Sequence, residues 1–245
     1  MGQLLFLHGY GRPPSDYAGL VDGLRAAGQD VKAPFFYGNH ALGAPPRTVD
    51  EGLALTLEYI ERERLEDYLV VGHSTGAGMG LLLADTGRPP AGVVALCPIR
   101  TIDYTWPRFV LRSLRMNAKH WLGLSGRPLA GWGLTLRTGL AFQLRMLRNP
   151  ACMTSFLEDL AAFELARAQG RAPHDLPVCV VHTRGDEFFD LGPSFEADLR
   201  SRFAEPELVL VDEPSHEWCL LDPATALELV LPRLESFAGS RAGEG

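Results

Sequence analysis

Three side chains in this sequence could together carry out nucleophilic catalysis. Ser74 stands in the stretch LVVGHSTGAGMG, with Gly72 and Gly76 two residues away on either side. Asp186 and His216 follow later in the chain, each in a loop after an apolar run. A serine hydroxyl becomes a good nucleophile when a base removes its proton and a third group orients that base. Ser74 as nucleophile, His216 as base and Asp186 as orienting acid would supply that chemistry.

The glycines around Ser74 fit a sharp turn from a strand into a helix. The run YLVV predicts a buried strand, and TGAGMGLLLAD continues as a helix. A serine in a strained turn needs small neighbours, and the start of the following helix offers free N–H groups and a positive dipole end. The alternative is that Ser74 is only a helix N-cap, a position where serine is favoured.

Other residues compete for the roles of acid and base. Asp190 lies four residues beyond Asp186, and Asp103 follows the fourth apolar run of the chain. His182 falls within a strand pattern, which favours a histidine that packs in the core or forms hydrogen bonds, whereas His216 lies in a loop. Asp186 and His216 are therefore preferred, with Asp190 and Asp103 as the alternative acids.

A second glycine-containing motif, LLFLHGYGRPP, follows the first apolar run. Backbone N–H groups in such a loop can point at the carbonyl oxygen that gains negative charge during attack. The two expected donors are the N–H groups of Tyr10 and Thr75, so the side chains of both residues should be replaceable. His8 and His73, which belong to the two motifs, are expected to pack and form hydrogen bonds without acting as bases.

Six apolar runs alternate with amphipathic stretches, which indicates an α/β fold with a mostly parallel central sheet and helices on both faces. The runs begin at Leu4, Val31, Tyr68, Gly92, Val178 and Glu207. Helices are predicted over residues 15–27, 49–65, 75–85, 194–203 and 223–237. A chain of 245 residues that is 46% hydrophobic is typical of one large globular domain.

The alternation breaks between the fourth and fifth runs. Residues 99–173 are predicted to be an inserted helical segment, with 1–98 and 174–245 forming the core. Residues 99–149 contain nine Lys or Arg and one acid, and the spacing of Arg108, Arg112, Arg115 and Lys119 predicts a basic stripe on one helix face. This stripe could be exposed or paired with the acidic body, attract an anionic or lipid-like substrate, or dock on an anionic membrane.

Composition excludes several classes of function. The net charge of −7 argues against nucleic acid as a partner, because a phosphate-binding surface needs a basic patch. The histidines and cysteines show no metal-ligand spacing, so neither a metal nor a cofactor is assigned. Buried free thiols are expected at all four cysteines, which are Cys97, Cys152, Cys179 and Cys219. With no signal-peptide pattern and no long apolar run, a cytoplasmic location is expected.

These features together resemble the α/β-hydrolase family. The resemblance rests on HGYG at 8–11, GHSTG at 72–76, Asp186 and His216, in the order serine, aspartate, histidine. It implies an α/β-hydrolase core that starts at the family's third strand, so that the usual N-terminal hairpin is missing and the sheet is shorter. It also implies that residues 99–173 form a helical cap over the active site.

The resemblance implies a serine hydrolase that cleaves a small-molecule carboxylic ester, as a carboxylesterase or a monoacylglycerol lipase does. The same triad could act on a thioester, lactone, amide or carbon–carbon bond. Epoxide-hydrolase and dehalogenase chemistry is disfavoured, because those relatives carry an aspartate where Ser74 stands. A hypothesis of another class is a ligand-binding module that has the fold but no turnover. The oligomeric state is left open.

Overall fold

The central sheet has six strands in the computed structural model of the protein. The structure describes residues 2–10, 12–35, 49–99, 106–124, 128–134, 136, 173–189 and 193–242. The strands are β1 (Gln3–Leu7), β2 (Asp30–Lys32), β3 (Leu69–His73), β4 (Gly92–Leu96), β5 (Val178–Thr183) and β6 (Glu207–Val211). Each coincides with one of the six apolar runs, so the predicted strands are confirmed.

The strands follow the order β2-β1-β3-β4-β5-β6, and all five pairings are parallel. The register places Leu7 beside Gly72 and His73 beside Leu96. Because the strands are parallel, their carboxyl ends meet at one edge of the sheet, where ligands of open α/β sheets bind. The loops after β1, β3, β5 and β6 therefore share that edge, which is where all the predicted catalytic residues lie.

Eight helices surround the sheet in the described parts of the chain. They are α1 (Ala18–Ala26), α2 (Val49–Arg62), α3 (Thr75–Leu82), α4 (Trp106–Trp121), α5 (Pro128–Leu134), α6 (Pro193–Arg202), α7 (Trp218–Leu221) and α8 (Pro223–Ala242). The predicted helices outside the inserted segment are all present. A 3-10 turn over Pro14–Tyr17 replaces the predicted start of α1, and the four-residue α7 was not predicted.

The core consists of two apolar layers, one on each face of the sheet. In β1, Leu5 and Leu7 belong to one layer and Leu4 and Phe6 to the other, as the period of two in a strand requires. Helices α2, α3 and α6 contribute to the first layer, and α1, α7 and α8 to the second. The sheet is thus buried on both faces, which explains why its strands are nearly continuous apolar runs.

Helix α4 buries several polar side chains and exposes several apolar ones. Its buried positions include Ser113, Asn117 and His120, whereas Leu111 and Trp121 are 68% and 52% exposed. The basic stripe predicted from the sequence concerned only the Arg and Lys residues of α4, and the burial of its polar residues and exposure of its apolar residues were not predicted. Most of residues 99–173 lies outside the described residues, so the boundaries of the predicted cap stay a prediction. Among the described helices, none is long and apolar enough to span a membrane.

Candidate active site

Ser74 occupies a strained turn between β3 and α3. Its backbone angles are φ 54° and ψ −118°, in a region that residues with a side chain rarely adopt. The flanking glycines allow the close packing that this turn needs. A Cβ atom added to Gly76 would lie 2.1 Å from Leu7 O, and one added to Gly72 would lie 2.5 Å from Gly76 O. The glycines at positions 72 and 76 are thus required because the backbone at this turn leaves no space for a side chain.

The hydroxyl of Ser74 does not cap α3. Ser74 stands at the N-cap position, yet its side chain makes no capping hydrogen bond, so the alternative of a purely structural N-cap is not supported. Its carbonyl oxygen is used instead, accepting hydrogen bonds from the N–H groups of Gly78 and Ile99. The turn fixes the backbone of Ser74 and leaves the hydroxyl available for other chemistry.

The loop after β1 packs directly against the serine turn. A Cβ atom added to Gly9 would lie 3.2 Å from Ser74 Cβ and 3.1 Å from His73 Nδ1. Tyr10, the next residue, is 9% exposed. Thr75 is the first residue of α3, where backbone N–H groups have no partner within the helix. Tyr10 and Thr75 therefore lie on the two segments that border Ser74.

Asp186 and His216 form a hydrogen-bonded pair. The distance from Asp186 Oδ2 to His216 Nδ1 is 2.6 Å. The other carboxylate oxygen accepts hydrogen bonds from the backbone N–H groups of Phe188 and Phe189, at 2.7 and 2.9 Å. Burial alone would raise the pKa of Asp186, but the charge and hydrogen bond of His216 outweigh burial and lower it. Asp186 is thus held as a carboxylate that is hydrogen-bonded to the imidazole of His216.

The imidazole of His216 is buried among aromatic rings beside the serine turn. Ring centroids of His73, Phe188 and Phe189 lie 4.9, 5.4 and 5.4 Å from its own. Burial lowers the pKa of His216, but the charge of Asp186 outweighs burial, so the pKa is raised from 6.5. Within the described residues, no hydrogen bond joins Ser74 Oγ to His216. Such bonds commonly tighten when substrate binds.

The fold agrees with comparisons to known proteins. A model of the alpha/beta hydrolase family matches residues 4–229. The chain belongs to this family. No curated protein matches the chain in sequence.

Several solved structures share the fold of this alpha/beta hydrolase. An alpha/beta hydrolase fold protein from Burkholderia ambifaria is 16% identical, with 94% of this chain and 90% of that chain covered and a TM-score of 0.65. A putative epoxide hydrolase from Pseudomonas aeruginosa is 21% identical, with 98% of this chain and 90% of that chain covered and a TM-score of 0.66. A putative non-heme bromoperoxidase from Mycobacterium tuberculosis is 18% identical, with 97% of this chain and 93% of that chain covered and a TM-score of 0.64. At these identities the likeness shows the fold alone.

In this alpha/beta hydrolase, neutral groups connect His216 to the serine turn and the first loop. His73 Nε2 donates to the carbonyl oxygen of His216 at 3.1 Å, and His73 Nδ1 accepts from the hydroxyl of Tyr17 at 2.7 Å. The same hydroxyl accepts the N–H of Gly9 at 2.9 Å. Burial lowers the pKa of His73 to about 3, so the ring stays neutral. We call Tyr17 and His73 the neutral relay.

Two buried glutamates also contact the loop that carries His216. Glu187 Oε2 accepts the backbone N–H of His216 at 2.9 Å. Glu217 Oε1 accepts from Arg12 Nε at 2.7 Å. Burial alone would raise the pKa of Glu217, but the charge of Arg12, with His120, outweighs burial and lowers it to about 2. Arg12, Glu187 and Glu217 were not identified from the sequence. Their only signal in the sequence is that each lies next to a predicted motif or site residue.

Cys97 lies close to Asp186 and His216. Its sulfur, a carboxylate oxygen of Asp186 and a ring nitrogen of His216 lie within 4.8 Å of one another. The oxygen and nitrogen are only 2.6 Å apart, shorter than the roughly 3.3 Å between two ligands of one zinc ion. Burial raises the pKa of Cys97, and Trp218 Nε1 donates to its sulfur at 3.2 Å. Cys97 is thus a packed thiol.

The remaining cysteines and the competing histidine are also placed by the structure. Cys97, Cys179 and Cys219 are buried free thiols, as predicted, and Cys152 lies outside the described residues. His182 is buried, and its Nε2 donates to Phe189 O at 3.2 Å, as expected for a hydrogen-bonded core histidine.

The two alternative acids fall outside the described residues, whereas His8 of the HGYG motif lies within them. Asp190 and Asp103 lie outside the described residues, so their roles as alternative acids stay predictions. His8 Nδ1 donates to Gly9 O at 2.8 Å, and burial lowers the pKa of His8 to about 4. A neutral, hydrogen-bonded His8 agrees with the packing role expected from the sequence.

Proposed function

We propose that this alpha/beta hydrolase is a serine hydrolase that cleaves carboxylic esters through an acyl-enzyme on Ser74. The observation that carries the proposal is the 2.6 Å hydrogen bond between Asp186 and His216, at the edge of the sheet where Ser74 stands in a strained turn. A buried acid–base pair beside an elbow serine is the arrangement that activates a hydroxyl.

The reaction begins with attack of Ser74 Oγ on the ester carbonyl carbon, while His216 Nε2 accepts the hydroxyl proton. Asp186 holds the ring through Nδ1 and stabilises the imidazolium. The N–H groups of Thr75 and Tyr10 donate to the oxyanion of the tetrahedral intermediate. When the ester C–O bond breaks, His216 returns the proton to the leaving alcohol. Water then attacks the acyl-enzyme by the same steps and releases the acid.

Two cations of α4 have partners in the loop after β5. Arg112 donates to the carbonyl oxygen of Phe188, and Lys119 Nζ lies 2.8 Å from a carboxylate oxygen of Glu187. These contacts support the hypothesis that the basic stripe pairs with the body of the protein. Arg115 also lines the cavity beside Asp186, so a negative group on the substrate is compatible with the site. The proposed substrate is a small-molecule ester, and the reaction needs neither nucleic acid nor a cofactor.

Replacement of the nucleophile tests the proposal. Ser74→Ala should lower kcat for a p-nitrophenyl ester by about 10⁶-fold, because the oxyanion donors and binding alone retain little of the catalysis. Labelling by a fluorophosphonate probe should disappear as well. Ser201→Ala, on the exposed face of α6, is the matched control and should retain activity and labelling. A loss of less than tenfold in Ser74→Ala would refute the assignment.

The same assay separates esters from the other bonds that such a triad can cleave. A series of p-nitrophenyl esters of increasing acyl length should be compared with an acyl thioester and a peptide amide through kcat/KM. A higher kcat/KM for the thioester or the amide would move the assignment to that substrate. Folded protein that neither turns over any substrate nor reacts with the probe would favour a ligand-binding module.

A further inference from the structure

The last turn of α4 contacts the two loops that carry the acid and the base. Lys119 Nζ donates to Pro214 O at 2.9 Å and to Gly185 O at 3.3 Å. These carbonyl groups lie two residues before His216 and one before Asp186. The ammonium group also lies 2.8 Å from Glu187 Oε1. One side chain of the inserted segment thus bonds both catalytic loops.

Glu187 extends this contact to the base itself. One of its carboxylate oxygens faces Lys119, and the other accepts the backbone N–H of His216 at 2.9 Å. Its side chain is 1% exposed, so water has little access to the bridge. The hydrogen bond from the N–H of His216 to this buried carboxylate is charge-assisted and therefore stronger than one at the surface. Lys119 contacts the other oxygen, Oε1, as an ion pair without hydrogen-bond geometry. Glu187 therefore connects Lys119 to the backbone of His216, so that a change in the position of Lys119 affects the position of His216.

The next residue of α4 reaches the other neighbour of the base. His120 Nε2 lies 3.2 Å from Glu217 Oε2, and Glu217 follows His216 directly in the chain. His120 is fully buried, and Glu217 is 4% exposed. Two consecutive residues of one helix thus contact two glutamates, of which Glu187 bonds the backbone of His216 and Glu217 is the next residue in the chain.

We propose that Lys119 and His120 are positioning residues for His216, with Glu187 and Glu217 as the groups through which they act. The inference rests on the proposed function, because it assigns these residues to the base of that reaction. An imidazole displaced by about 1 Å from its productive position can cost about 100-fold in rate. The last turn of α4 prevents such displacement by bonding the loop on both sides of His216.

The electrostatic surroundings of His216 give this role a signature in pH dependence. The charged and titratable groups around the ring come from several neighbouring elements: Arg12 after β1, His73 at the end of β3, Cys97 after β4, His182 in β5, Asp186 and Glu187 after β5, Glu217 after β6, and Lys119 and His120 in α4. Glu187 and Glu217 both raise the pKa of His216. Loss of the Lys119 cation should raise this pKa further, and loss of the Glu187 charge should lower it.

The test measures kcat, KM and the pH profile of kcat/KM in the full-length protein. Lys119→Met should lower kcat for p-nitrophenyl acetate by about 100-fold, with KM changed less than threefold and the acid limb moved to higher pH. Lys119→Arg should recover most of kcat. Arg200→Met, a change of an exposed cation on α6, is the matched control and should match the wild type.

A second variant separates a positioning role from a merely structural one. Glu187→Gln keeps the shape of the side chain but should lower kcat by about tenfold and move the acid limb to lower pH. Because both residues act on one path, the Lys119→Met/Glu187→Gln double variant should be no slower than Lys119→Met alone. If Lys119→Met does not fold, Glu187→Gln and its acid limb decide the test.

The outcomes distinguish failure of this inference from failure of the proposed function. Wild-type protein that reacts with a fluorophosphonate probe, together with Lys119→Met and Glu187→Gln variants that react equally fast, would overturn the positioning role alone. Losses that multiply in the double variant, or acid limbs that do not move, would overturn it as well. Wild-type protein without any reaction would overturn the proposed function first.

Discussion

The loop of His216 meets neutral groups in one region of the molecule and charged groups in another. The neutral relay joins it to β3 and the first loop through hydrogen bonds of 2.7 to 3.1 Å. In the charged region, Glu187 and Glu217 are held by Lys119, Arg12 and His120. We call these five residues the ionic cluster. Both regions restrain the same short segment, but they respond differently to pH and to the loss of a partner.

The difference shows which region controls the titration of His216. The pKa of His73 is lowered to about 3, so the relay carries no charge at neutral pH. Its contribution to stability is present above pH 6.5, the ordinary pKa of histidine, and is lost as the pH falls from there toward 3. The ionic cluster instead places two anions near the base, which raise its pKa. The relay fixes geometry, and the cluster also adds to the effect of Asp186, which is the main cause of the raised pKa of His216.

The largest expected effect on stability comes from removing a cation of the ionic cluster. Arg12→Met leaves Glu217 buried without its closest counter-charge, which should cost about 3–5 kcal/mol in the free energy of unfolding. Denaturant titration measures this cost. Arg200→Met breaks an ion pair on the surface of α6 and is the control, with an expected change within about 0.5 kcal/mol. Equal changes in both variants would mean that burial does not strengthen the ionic cluster.

A smaller effect is expected when the neutral relay is cut. Tyr17→Phe leaves the N–H of Gly9 and Nδ1 of His73 without their shared hydroxyl, which should cost about 1–3 kcal/mol in the free energy of unfolding. Tyr68→Phe is the control, because its hydroxyl donates to the carbonyl of exposed Arg88, and it should cost about 1 kcal/mol or less. A larger loss in Tyr17→Phe than in Arg12→Met would reverse the comparison between the two regions.

The sheet and the contact between Asp186 and His216 could be predicted because their signals are local. Each strand is a short apolar run, and the turn at Ser74 requires glycine at positions 72 and 76, where a Cβ atom would meet backbone within 2.5 Å. Asp186 and His216 each follow a strand whose carboxyl end lies at the common edge. Parallel pairing then brings residues 30 positions apart to 2.6 Å. The order of the strands and loops along the chain was enough to predict that Asp186 and His216 lie close together.

The two supporting regions could not be predicted, since their contacts depend on tertiary packing. Arg12 and Glu217 are 205 positions apart, and His73 and His216 are 143 apart. Buried glutamates look like surface residues in a sequence, because nothing local shows that a cation will face them. In α4 the spacing of basic residues predicted a stripe, but only packing decides that Lys119 faces the catalytic loops. Helix α7, with four residues, is too short for a periodic signal.

The smallest expected effect is a displacement of the pH profile, and it separates the two regions most directly. His216 must be neutral to accept a proton, so kcat/KM should rise as the pH increases through its raised pKa. Glu217→Gln removes an anion that raises this pKa, so the acid limb should move to lower pH. Tyr17→Phe removes no charge, so its limb should coincide with that of the wild type even where kcat falls. A limb that moves in Tyr17→Phe and stays in Glu217→Gln would assign control of protonation to the neutral relay.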